Sequence, residues 1–515
     1  MAKKKKDAYK IEIVNSILDN VHGFIGLTPV ENTIERLPIF KRLQNISQLG
    51  LTNRIFPCAL HNRYIHSLGV MYIVDQMAIK LNFDSDERQI IRLAGMLHDI
   101  GHYPFSHDVE AAYMDASSIT AADPATEFLT YAENAKKKIN KIALPIEKLD
   151  FHVSGRDSKY HHESVGTTVI THSSGIKNAI IDFYINNNEK FTKEDPNEVV
   201  DEIISDICSV ITGDAQHESK YFPNSFGIMV QIMHSELDAD RIDYLLRDAT
   251  FSGASYGNFD LGVLIQNLVS IKDPFFGSTI VGITPKGIGC AEQFLLNRYF
   301  AYNQIIYHKY TSVLGCALQS IVRWLIQDTS SGFPHKDIIN MAEHHESDSR
   351  YINYTDAYLI NFINNIDTSK VPCPNQIYKL VGCIQNYRAL DMSEEVVCSG
   401  IDLDDVARKL EHTKLFENLN NAISDGDVSN VVYQYREMRL TNHLPEERFE
   451  ALLAENIKNG VIESDLADSY RLDRLQDGLV IIQPGEKPKM LIDSERSMIH
   501  DIHTLRYCVL RAYSV

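Results

Sequence analysis

Histidine and aspartate residues recur in three separate apolar segments of the sequence, and their types and spacing suit metal chemistry. His66 lies in Arg63-Tyr-Ile-His-Ser-Leu-Gly, His98-Asp99 follows an apolar run, and Asp240 lies in Leu237-Asp-Ala-Asp-Arg-Ile. Neutral imidazole and carboxylate together suit a mid-series divalent ion, with positions left open for water and substrate. The sequence therefore predicts a site for Fe, Mn, Ni or Zn, with ligands supplied by three separate helices.

A second group of histidines follows closely along the chain. His102 and His107 come soon after His98, and His162 and Glu110 complete the group. Buried ring nitrogens need hydrogen-bond partners, so several histidines in apolar sequence indicate a function rather than core packing. A histidine that titrates near neutrality can protonate a leaving oxygen, and a neighbouring carboxylate fixes its tautomer. We therefore expect general acid/base chemistry from this group.

A helical face beside Asp240 offers groups that could bind phosphate. Arg241, Tyr244 and Asp248 are spaced at i, i+3 and i+7, so they share one face of a helix. Arg241 and Tyr244 could hold phosphate, and Asp248 could bind a sugar hydroxyl. An exposed, salt-bridged face is the alternative interpretation. A comparable stripe over 298–309 indicates ordinary amphipathic surface when it is taken alone.

Other motifs are absent or stand in the wrong context. The sequence has neither a G-x-x-x-x-G-K-[ST] phosphate loop nor a G-x-G-x-x-G turn. The segment Gly253-Ala-Ser-Tyr-Gly257 matches the G-x-S-x-G pattern of hydrolases, but it follows a predicted helix instead of a strand, which indicates a turn. The His-Asp dipeptides at 107–108 and 500–501 lack the companions of His98-Asp99, and the second is typical of a solvated helix face.

The elements that must position these residues are mostly helices. Apolar residues spaced at three and four positions predict helices over 63–81, 86–97, 236–249 and 292–327, the last broken near Gly315. Strand patterns are few and late: 278–283, and a hairpin that joins 478–484 to 489–492. We therefore predict a mainly α fold with small β additions.

Length and composition exclude several classes of protein. A chain of 515 residues has room for a large core and an appended lobe. The net charge of −19 argues against generic nucleic-acid binding. Eight scattered cysteines, together with the lack of a signal peptide or a long apolar run, predict a soluble protein of the reducing cytoplasm with no membrane contact.

The segments that contain these histidines and aspartates, in their order along the chain, resemble conserved sequence blocks of the HD-domain metal-dependent phosphohydrolases. Within that family they are most similar to the dNTP triphosphohydrolases, which include the vertebrate SAM-and-HD-domain protein and the bacterial dGTPases. The resemblance covers about residues 30–313 and rests on Ser47-Gln-Leu-Gly, Phe56-Pro57, His61-Asn-Arg-Tyr-Ile-His-Ser-Leu-Gly, His98-Asp-Ile-Gly-His-Tyr-Pro-Phe-Ser-His107, His162-Glu163 and Asp238-Ala-Asp-Arg-Ile-Asp-Tyr-Leu-Leu-Arg-Asp248. It implies an HD-domain helical core over 1–328, with an insertion at about 111–160, and an α+β C-terminal lobe over 329–515 for regulation or oligomerisation.

The resemblance also implies a role for each matching residue. Metal ligation falls to His66, His98, Asp99 and Asp240, and acid/base catalysis to His102, His107, Glu110 and His162. Deoxyribose contacts fall to Gln48 and Leu49, triphosphate contacts to Arg63, Arg241, Tyr244 and Arg298, and a 3′-hydroxyl contact to Asp248. A candidate effector pocket would include Phe56, Lys286, His308 and Lys309.

Two of the family's binding sites differ in this sequence. The tyrosine expected beneath the sugar is Ile306, with Tyr307 next to it, so Tyr307 is the candidate sugar platform. The three residues that read an activating guanine in the vertebrate protein fall on Arg36, Lys41 and Gln44, which predicts that this guanine site is lost.

The activity implied is hydrolysis of a dNTP to deoxynucleoside and triphosphate, with Mg bridging the substrate phosphates. The resemblance further implies a homo-oligomer (dimer, tetramer or hexamer) and a nucleotide effector. Depletion of dNTPs would serve nucleotide homeostasis or antiviral defence against phage. Two alternatives stay open: another HD reaction, such as phosphodiester or nucleoside monophosphate hydrolysis, and a nucleotide-sensing regulatory subunit, although no metal ligand is missing.

Overall fold

The computed structural model describes residues 10–515 except for 117–123, 143–157, 274, 328–330, 367–374, 387–389, 427 and 429–430. Helices dominate the described residues, which confirms the mainly α prediction. The insertion predicted at about 111–160 lies partly outside the described residues, and its described part includes one long helix, Pro124–Ile139. No described helix is both long enough and apolar enough to cross a membrane.

The α-helices vary in length from one turn to five. In chain order they are α1 Pro29–Glu35, α2 Pro38–Lys41, α3 Arg63–Lys80, α4 Ser85–Leu97, α5 His107–Ala116, α6 Pro124–Ile139, α7 His162–His172, α8 Ser174–Ile180, α9 Pro196–Thr212, α10 Phe226–His234, α11 Ala239–Ser252, α12 Leu261–Gln266, α13 Ile288–Ala301, α14 Lys309–Gln327, α15 Ile338–Glu343, α16 Arg350–Asn353, α17 Asp356–Asn364, α18 Asn375–Asn386, α19 Leu403–Glu411, α20 Lys414–Asp425, α21 Glu446–Lys458, α22 Ala467–Asp477 and α23 Met498–Ile502.

The strands form three small sheets. They are β1 Asn15–Asp19, β2 Gly23–Leu27, β3 Leu268–Lys272, β4 Thr279–Ile283, β5 Asp391–Gly400, β6 Val431–Arg439, β7 Val480–Ile481, β8 Lys489–Met490 and β9 Arg506–Ser514. The first sheet is the hairpin β1-β2, the second has the order β3-β4-β7-β8, and the third is antiparallel with the order β5-β9-β6. The predicted strand over 278–283 and the predicted hairpin are therefore present as β4 and as β7-β8.

Side-chain caps set the starts of the helices that carry the site. The Asn62 side chain accepts from the backbone N–H of Ile65 at the start of α3. At α4 a capping box joins Asp84 and Glu87, so this helix begins at Ser85, as its sequence pattern predicted to within a residue. The cap of α11 is Asp238, and α11 ends at Gly253, whose φ of 74° is favourable for glycine. The segment 253–257 is therefore a turn after a helix, as predicted.

Helix α3 packs closely against α11 because Gly69 has no side chain. A Cβ atom at Gly69 would lie 2.0 Å from Oδ1 of Asp243 and 2.4 Å from an Nη2 of Arg247, both on α11. Only a residue without a side chain at this position leaves room for these polar groups against α3. The close approach places the first turn of α11 beside His66 on α3.

The long helical run predicted over 292–327 breaks in a different place. The chain forms α13, then a π-turn over Tyr302–Ile306, and starts again as α14 at Lys309. Gly315 lies inside α14, so the predicted break near this glycine is wrong. A Cβ atom there would lie 2.6 Å from Oδ1 of Asp108. The glycine allows α5 to pack against α14.

The C-terminal part of the chain packs against the same hydrophobic core as the N-terminal helices. A single cluster of buried apolar side chains extends from Ile25 to Val515. Asp356, at the start of α17, accepts from the backbone N–H of Ser47 at 2.8 Å and from that of Phe105 at 2.7 Å. These two hydrogen bonds fix loops that lead to the predicted catalytic residues.

Candidate active site

Three helices bring the four predicted metal ligands together. His66 lies on α3, His98 and Asp99 directly follow α4, and Asp240 lies in the first turn of α11. The Nε2 atom of His66 is 2.9 Å from Oδ1 of Asp240 and 3.7 Å from Oδ2 of Asp99. The Nε2 atom of His98 is 3.4 Å from Oδ1 of Asp99 and 3.9 Å from Oδ1 of Asp240. The ligand atoms therefore surround one small volume.

The Nδ1 hydrogen bonds of the two histidines direct Nε2 of each ring toward the other predicted ligands. His98 directs Nδ1 to the carbonyl oxygen of Gly95 at 2.8 Å, and its buried Nε2 has no hydrogen-bond partner among the described residues. His66 directs Nδ1 to Oδ2 of Asp243 at 2.7 Å. Metal-bound histidines ordinarily donate their other N–H to a carbonyl or a carboxylate in this way. The donor set of two imidazoles and two carboxylates fits a divalent ion.

The electrostatics of the four ligands favour negative carboxylates beside a cation. Burial acts to lower the pKa of His66, but hydrogen bonds to Asp240 and Asp243 raise it to about 10. Burial acts to raise the pKa of Asp99, but the Arg63 guanidinium and His98 hold it below its usual value. Positive charge at the centre therefore stabilises the carboxylates, as a bound divalent ion would.

Asp243 binds a predicted metal ligand, His66, and was not itself among the predicted site residues. Besides His66, its carboxylate accepts from His22 at 2.6 Å and from Arg247 at 2.7 and 2.9 Å. Arg247 is fully buried and also donates to Asp19 on β1 at 2.7 Å. The i, i+3 spacing from Asp240 to Asp243 was the available signal, because it puts both carboxylates toward α3.

The predicted acid/base residues form a second group next to the first. Glu110 on α5 accepts from Nδ1 of His107 at 2.7 Å and from Nδ1 of His162 at 2.8 Å. The rings of His102 and His162 stack with centroids 4.0 Å apart. Nε2 of His162 is 4.0 Å from Oδ1 of Asp99, and Nε2 of His102 is 3.4 Å from the same oxygen. The two groups therefore share Asp99 as their border.

The surroundings of His162 and His102 shift their pKa values in opposite directions. Burial acts to lower the pKa of His162, but the charge of Glu110 raises it to about 9. Burial and the positive charges of Arg63 and His162 hold the pKa of His102 well below its usual value. Near neutral pH, His162 is therefore protonated and His102 is neutral. Environments that separate two pKa values in this way are typical of acid/base pairs.

A left-handed turn connects the two groups. Phe105 and Ser106 have φ values of 55° and 57°, which non-glycine residues rarely adopt. Hydrogen bonds hold the turn: Ser106 donates to the carbonyl oxygen of Ser47 at 2.6 Å and accepts from Nε of Arg63 at 2.9 Å. Strained backbone that is held this firmly is a common feature of functional sites. Here it directs His107 toward Glu110.

Arg63 connects a predicted metal ligand to the predicted sugar-binding residue Gln48. Arg63 is buried, donates to Oδ2 of Asp99 at 2.8 Å and lies 3.5 Å from the carbonyl oxygen of Gln48. Gln48 is buried, and its Oε1 atom has no hydrogen-bond partner among the described residues. Leu49 is half-buried and caps a 3-10 turn over Gly50–Arg54. Oδ1 of Asp248 forms a hydrogen bond with Nε2 of His61 at 2.7 Å.

The remaining predicted substrate residues line a cavity of about 440 Å³. Arg241 and Tyr244 reach it from α11, Arg298 from α13, and Tyr307 from the turn before α14. Tyr307, not Ile306, lines the cavity, so the one-residue displacement in the sequence leaves a phenol at this wall. Other lining residues come from α6 and β6, which the sequence did not identify: Lys138, Tyr435, Arg436, Glu437, Met438 and Arg439.

The candidate effector residues are only partly brought together. The rings of Phe56 and His308 meet edge to face with centroids 5.5 Å apart, and Lys309 follows in the chain. Burial and the charges of Arg511 and Lys309 lower the pKa of His308. Lys286 lies in a separate 3-10 turn, Pro285–Gly287, before α13.

Comparison with known proteins agrees with this geometry. A family model described as the HD domain matches residues 63–211. The chain is 25% identical to an uncharacterized protein of Methanocaldococcus jannaschii over 96% of this chain and 95% of that protein. It is 23% identical to a Dictyostelium discoideum protein named deoxynucleoside triphosphate triphosphohydrolase SAMHD1 homolog, over 74% of this chain and 60% of that relative.

A solved structure shares the fold along nearly the whole chain. The crystal structure of a phosphohydrolase from Bacteroides thetaiotaomicron superposes with a TM-score of 0.57 at 18% identity, covering 97% of this chain and 99% of the other. The matched HD-domain segment contains three of the four converging ligands, His66, His98 and Asp99. We conclude that the chain contains an HD domain over residues 63–211 and is similar to HD-domain phosphohydrolases.

Proposed function

We propose that this protein is a metal-dependent dNTP triphosphohydrolase that converts a dNTP and water to a deoxynucleoside and triphosphate. The observation that carries the proposal is the continuity of helix α11. Its first turn supplies Asp240 to the ligand group, and the next residues, Arg241 and Tyr244, line a cavity that also contains Arg298. A phosphate chain in this cavity would extend directly from the metal ligands. The printed name of the Dictyostelium relative supports the same substrate class.

Separate residues would bind the metal and the substrate phosphates. A divalent ion held by His66, His98, Asp99 and Asp240 would supply Lewis-acid polarisation of the phosphoryl oxygen and a more acidic water. Mn, Fe, Ni or Zn suits these ligands, with Mg on the substrate phosphates. Arg63 fixes Asp99, and Arg241 and Arg298 attract the phosphate oxygens.

Proton transfer falls to His162. Its Nδ1–H donates to Glu110, and its Nε2 side faces Asp99, so a protonated ring directs its second N–H toward the metal group. Water attacks the α-phosphorus, the bond from that phosphorus to the 5′-oxygen breaks, and His162 donates its proton to this oxygen. The water oxygen stays on the triphosphate. Neutral His102, stacked on His162, can accept a proton from the attacking water.

The test is a product analysis with purified protein. Each dNTP is incubated with Mn or Mg, and the products are separated by ion-exchange chromatography and identified by phosphorus NMR. We expect deoxynucleoside and tripolyphosphate in equal amounts. A dominant pyrophosphate or monophosphate signal, or turnover of phosphodiesters instead of dNTPs, would assign the protein to another HD reaction. Binding of dNTPs without turnover under every metal would indicate a nucleotide-sensing subunit.

The proposal includes an assembled and regulated enzyme in the cytoplasm. A homo-oligomer that binds a nucleotide effector would let dNTP concentration control its own removal. This setting suits nucleotide homeostasis or antiviral defence. Light scattering with and without nucleotides measures the assembly directly.

A further inference from the structure

Strand β6, from the C-terminal part of the chain, forms one wall of the cavity. Its residues Tyr435 to Arg439 line the cavity together with residues of α11 and α13. Two predicted substrate residues hold this strand in place through its backbone. Tyr307 donates its hydroxyl to the carbonyl oxygen of Glu437 at 2.9 Å, and Arg298 donates to that of Leu440 at 2.7 Å. The position of β6 is therefore fixed relative to the site.

The cavity is strongly cationic, although the whole chain carries a net charge of −19. Five cationic side chains line it, and Glu437 is the one carboxylate among its lining residues. The cations are Lys138, Arg241, Arg298, Arg436 and Arg439. A concentration of positive charge in an acidic protein favours a multiply charged anion of this size.

Most of the arginines in the cavity already have partners. Arg241 donates to Oδ2 of Asp238 at 2.6 Å, and Arg439 donates to Oε1 of Glu437 at 2.9 Å. Arg298 is bound by the Leu440 carbonyl oxygen and lies 3.4 Å from Oε1 of Glu236. These partners fix the side chains and neutralise part of their charge.

Arg436 differs from the other three arginines. Its half-buried guanidinium lines the cavity, and no residue in the described part of the chain forms a hydrogen bond or an ion pair with it. The charge of Asp108 acts on Arg436, but the two side chains form no ion pair. A partly desolvated cation without a partner is costly unless an anion binds it. The side chain is thus available to a ligand in the cavity.

We propose that Arg436 binds the β- and γ-phosphates of the substrate, so that the C-terminal strand β6 completes the active site of the HD core. The inference rests on the proposed function, because it takes the polyphosphate chain of a nucleoside triphosphate as the ligand. Arg241 neighbours the metal ligand Asp240 and would meet the phosphate nearest the metal. Arg436 lies on β6, and the charged groups that act on it include Tyr307 and Asp108 but none of the four predicted ligands, so it would meet the far end of the phosphate chain.

The test compares Arg436→Gln with Arg436→Lys and with Arg408→Gln as a matched control. Arg408 lies on α19, in the same part of the chain, and its side chain is mostly exposed. We expect Arg436→Gln to raise KM for dNTPs about tenfold to a hundredfold, the range for loss of one charge-assisted hydrogen bond, with a smaller change in kcat. Arg436→Lys restores part of the loss because it keeps the charge, and Arg408→Gln leaves KM unchanged.

Calorimetric titration with inorganic tripolyphosphate provides a readout that does not need turnover. We expect Arg436→Gln to weaken tripolyphosphate binding by a similar factor and pyrophosphate binding by less. Thermal unfolding shows whether each variant folds, and if Arg436→Gln does not fold, the comparison uses Arg436→Lys and the less drastic Arg436→Met.

The two proposals fail in different ways. Unchanged tripolyphosphate affinity and KM in a folded charge-removing variant would overturn the role of Arg436, whatever reaction the enzyme performs. Tripolyphosphate binding that depends on Arg436 in a protein that hydrolyses no dNTP would support the phosphate site and overturn the proposed reaction instead.

Discussion

The imidazole rings of His102 and His162 stack with their centroids 4.0 Å apart, yet their surroundings shift the two pKa values in opposite directions. His162 donates to Glu110 at 2.8 Å, whereas neither ring nitrogen of His102 has a hydrogen-bond partner among the described residues. The carboxylate therefore keeps one ring charged while burial keeps the other neutral. Both rings border Asp99, so a protonated ring and a neutral ring lie at one edge of the predicted ligand group.

Replacement of the carboxylate should shift the alkaline limit of activity. The pKa of His162 is raised to about 9, so its protonated form is present below that pH and is lost as pH rises through it. Glu110→Gln keeps the shape but removes the charge, so burial will lower this pKa. We expect the alkaline limb of the kcat/KM profile to move to lower pH. A profile that keeps its alkaline limb would contradict the donor role, and Glu202→Gln, exposed on α9, serves as the control.

Local pattern predicted the helices that carry the ligand group, whereas the choice of ligands also depended on the family resemblance. The spacing of apolar residues located α3, α4 and α11 to within a few residues, and the histidines and aspartates stand at fixed places on them. Gly69 shows that a residue beside a predicted ligand can be required by helix packing. Close contact between α3 and α11 needs a glycine in the segment that contains His66. The segment that resembles the family includes this glycine, although the sequence alone does not show the contact with α11 that requires it.

Contacts between distant segments were not predictable in the same way. Arg436 lies more than a hundred residues from Arg298 in sequence, and periodicity indicates which face of β6 is apolar but not which helix it will cover. The helix break predicted at Gly315 was wrong for a related reason. The glycine makes room for Asp108 on α5 and does not interrupt the helix. The hairpin β1-β2, which supplies Asp19 to Arg247, also had no strong local signal.

Removal of one ligand should remove both metal and activity. Asp240→Ala takes a carboxylate from the four-ligand group, and we expect bound divalent metal, measured by elemental analysis, and turnover to fall to background together. His500→Ala changes the other isolated His-Asp dipeptide, whose ring donates to the carbonyl oxygen of Ile492 away from the site, and should retain both. Full activity in metal-depleted Asp240→Ala would rule out the metal assignment.

The carboxylate behind His66 should tune metal affinity without being a ligand. Asp243→Asn keeps a group near Nδ1 of His66 but removes the charge that also holds His22 and Arg247. Loss of such a partner typically weakens metal binding about 10–100-fold. We therefore expect activity that is recovered at high Mn concentration, with a raised metal requirement. Activity that has the same metal dependence as the unchanged protein would contradict this role.

The contact at Gly69 should be sensitive to a single methyl group. A Cβ atom there would lie 2.0 Å from Asp243, so Gly69→Ala must displace α11 or its buried polar groups. We expect a loss of about 1–3 kcal/mol in the free energy of unfolding, seen as a lower Tm, together with weaker metal binding. Gly289→Ala is the matched control, because Gly289 is an exposed position of α13 where a Cβ atom would meet nothing within 4 Å. Alanine is the better helix former, so its Tm should stay or rise.

Activation by GTP should be absent or weak, and a dNTP should be the better activator. A guanine edge needs acceptors for its N1 and N2 hydrogens, whereas Arg36 and Gln44 are exposed and Lys41 pairs with Glu35. The ring pair of Phe56 and His308 offers a separate surface for a base. Each dNTP is therefore assayed alone and in pairs with GTP and the other dNTPs, while light scattering follows mass. Strong GTP activation that Arg36→Ala abolishes would mean that a guanine site exists at this position after all.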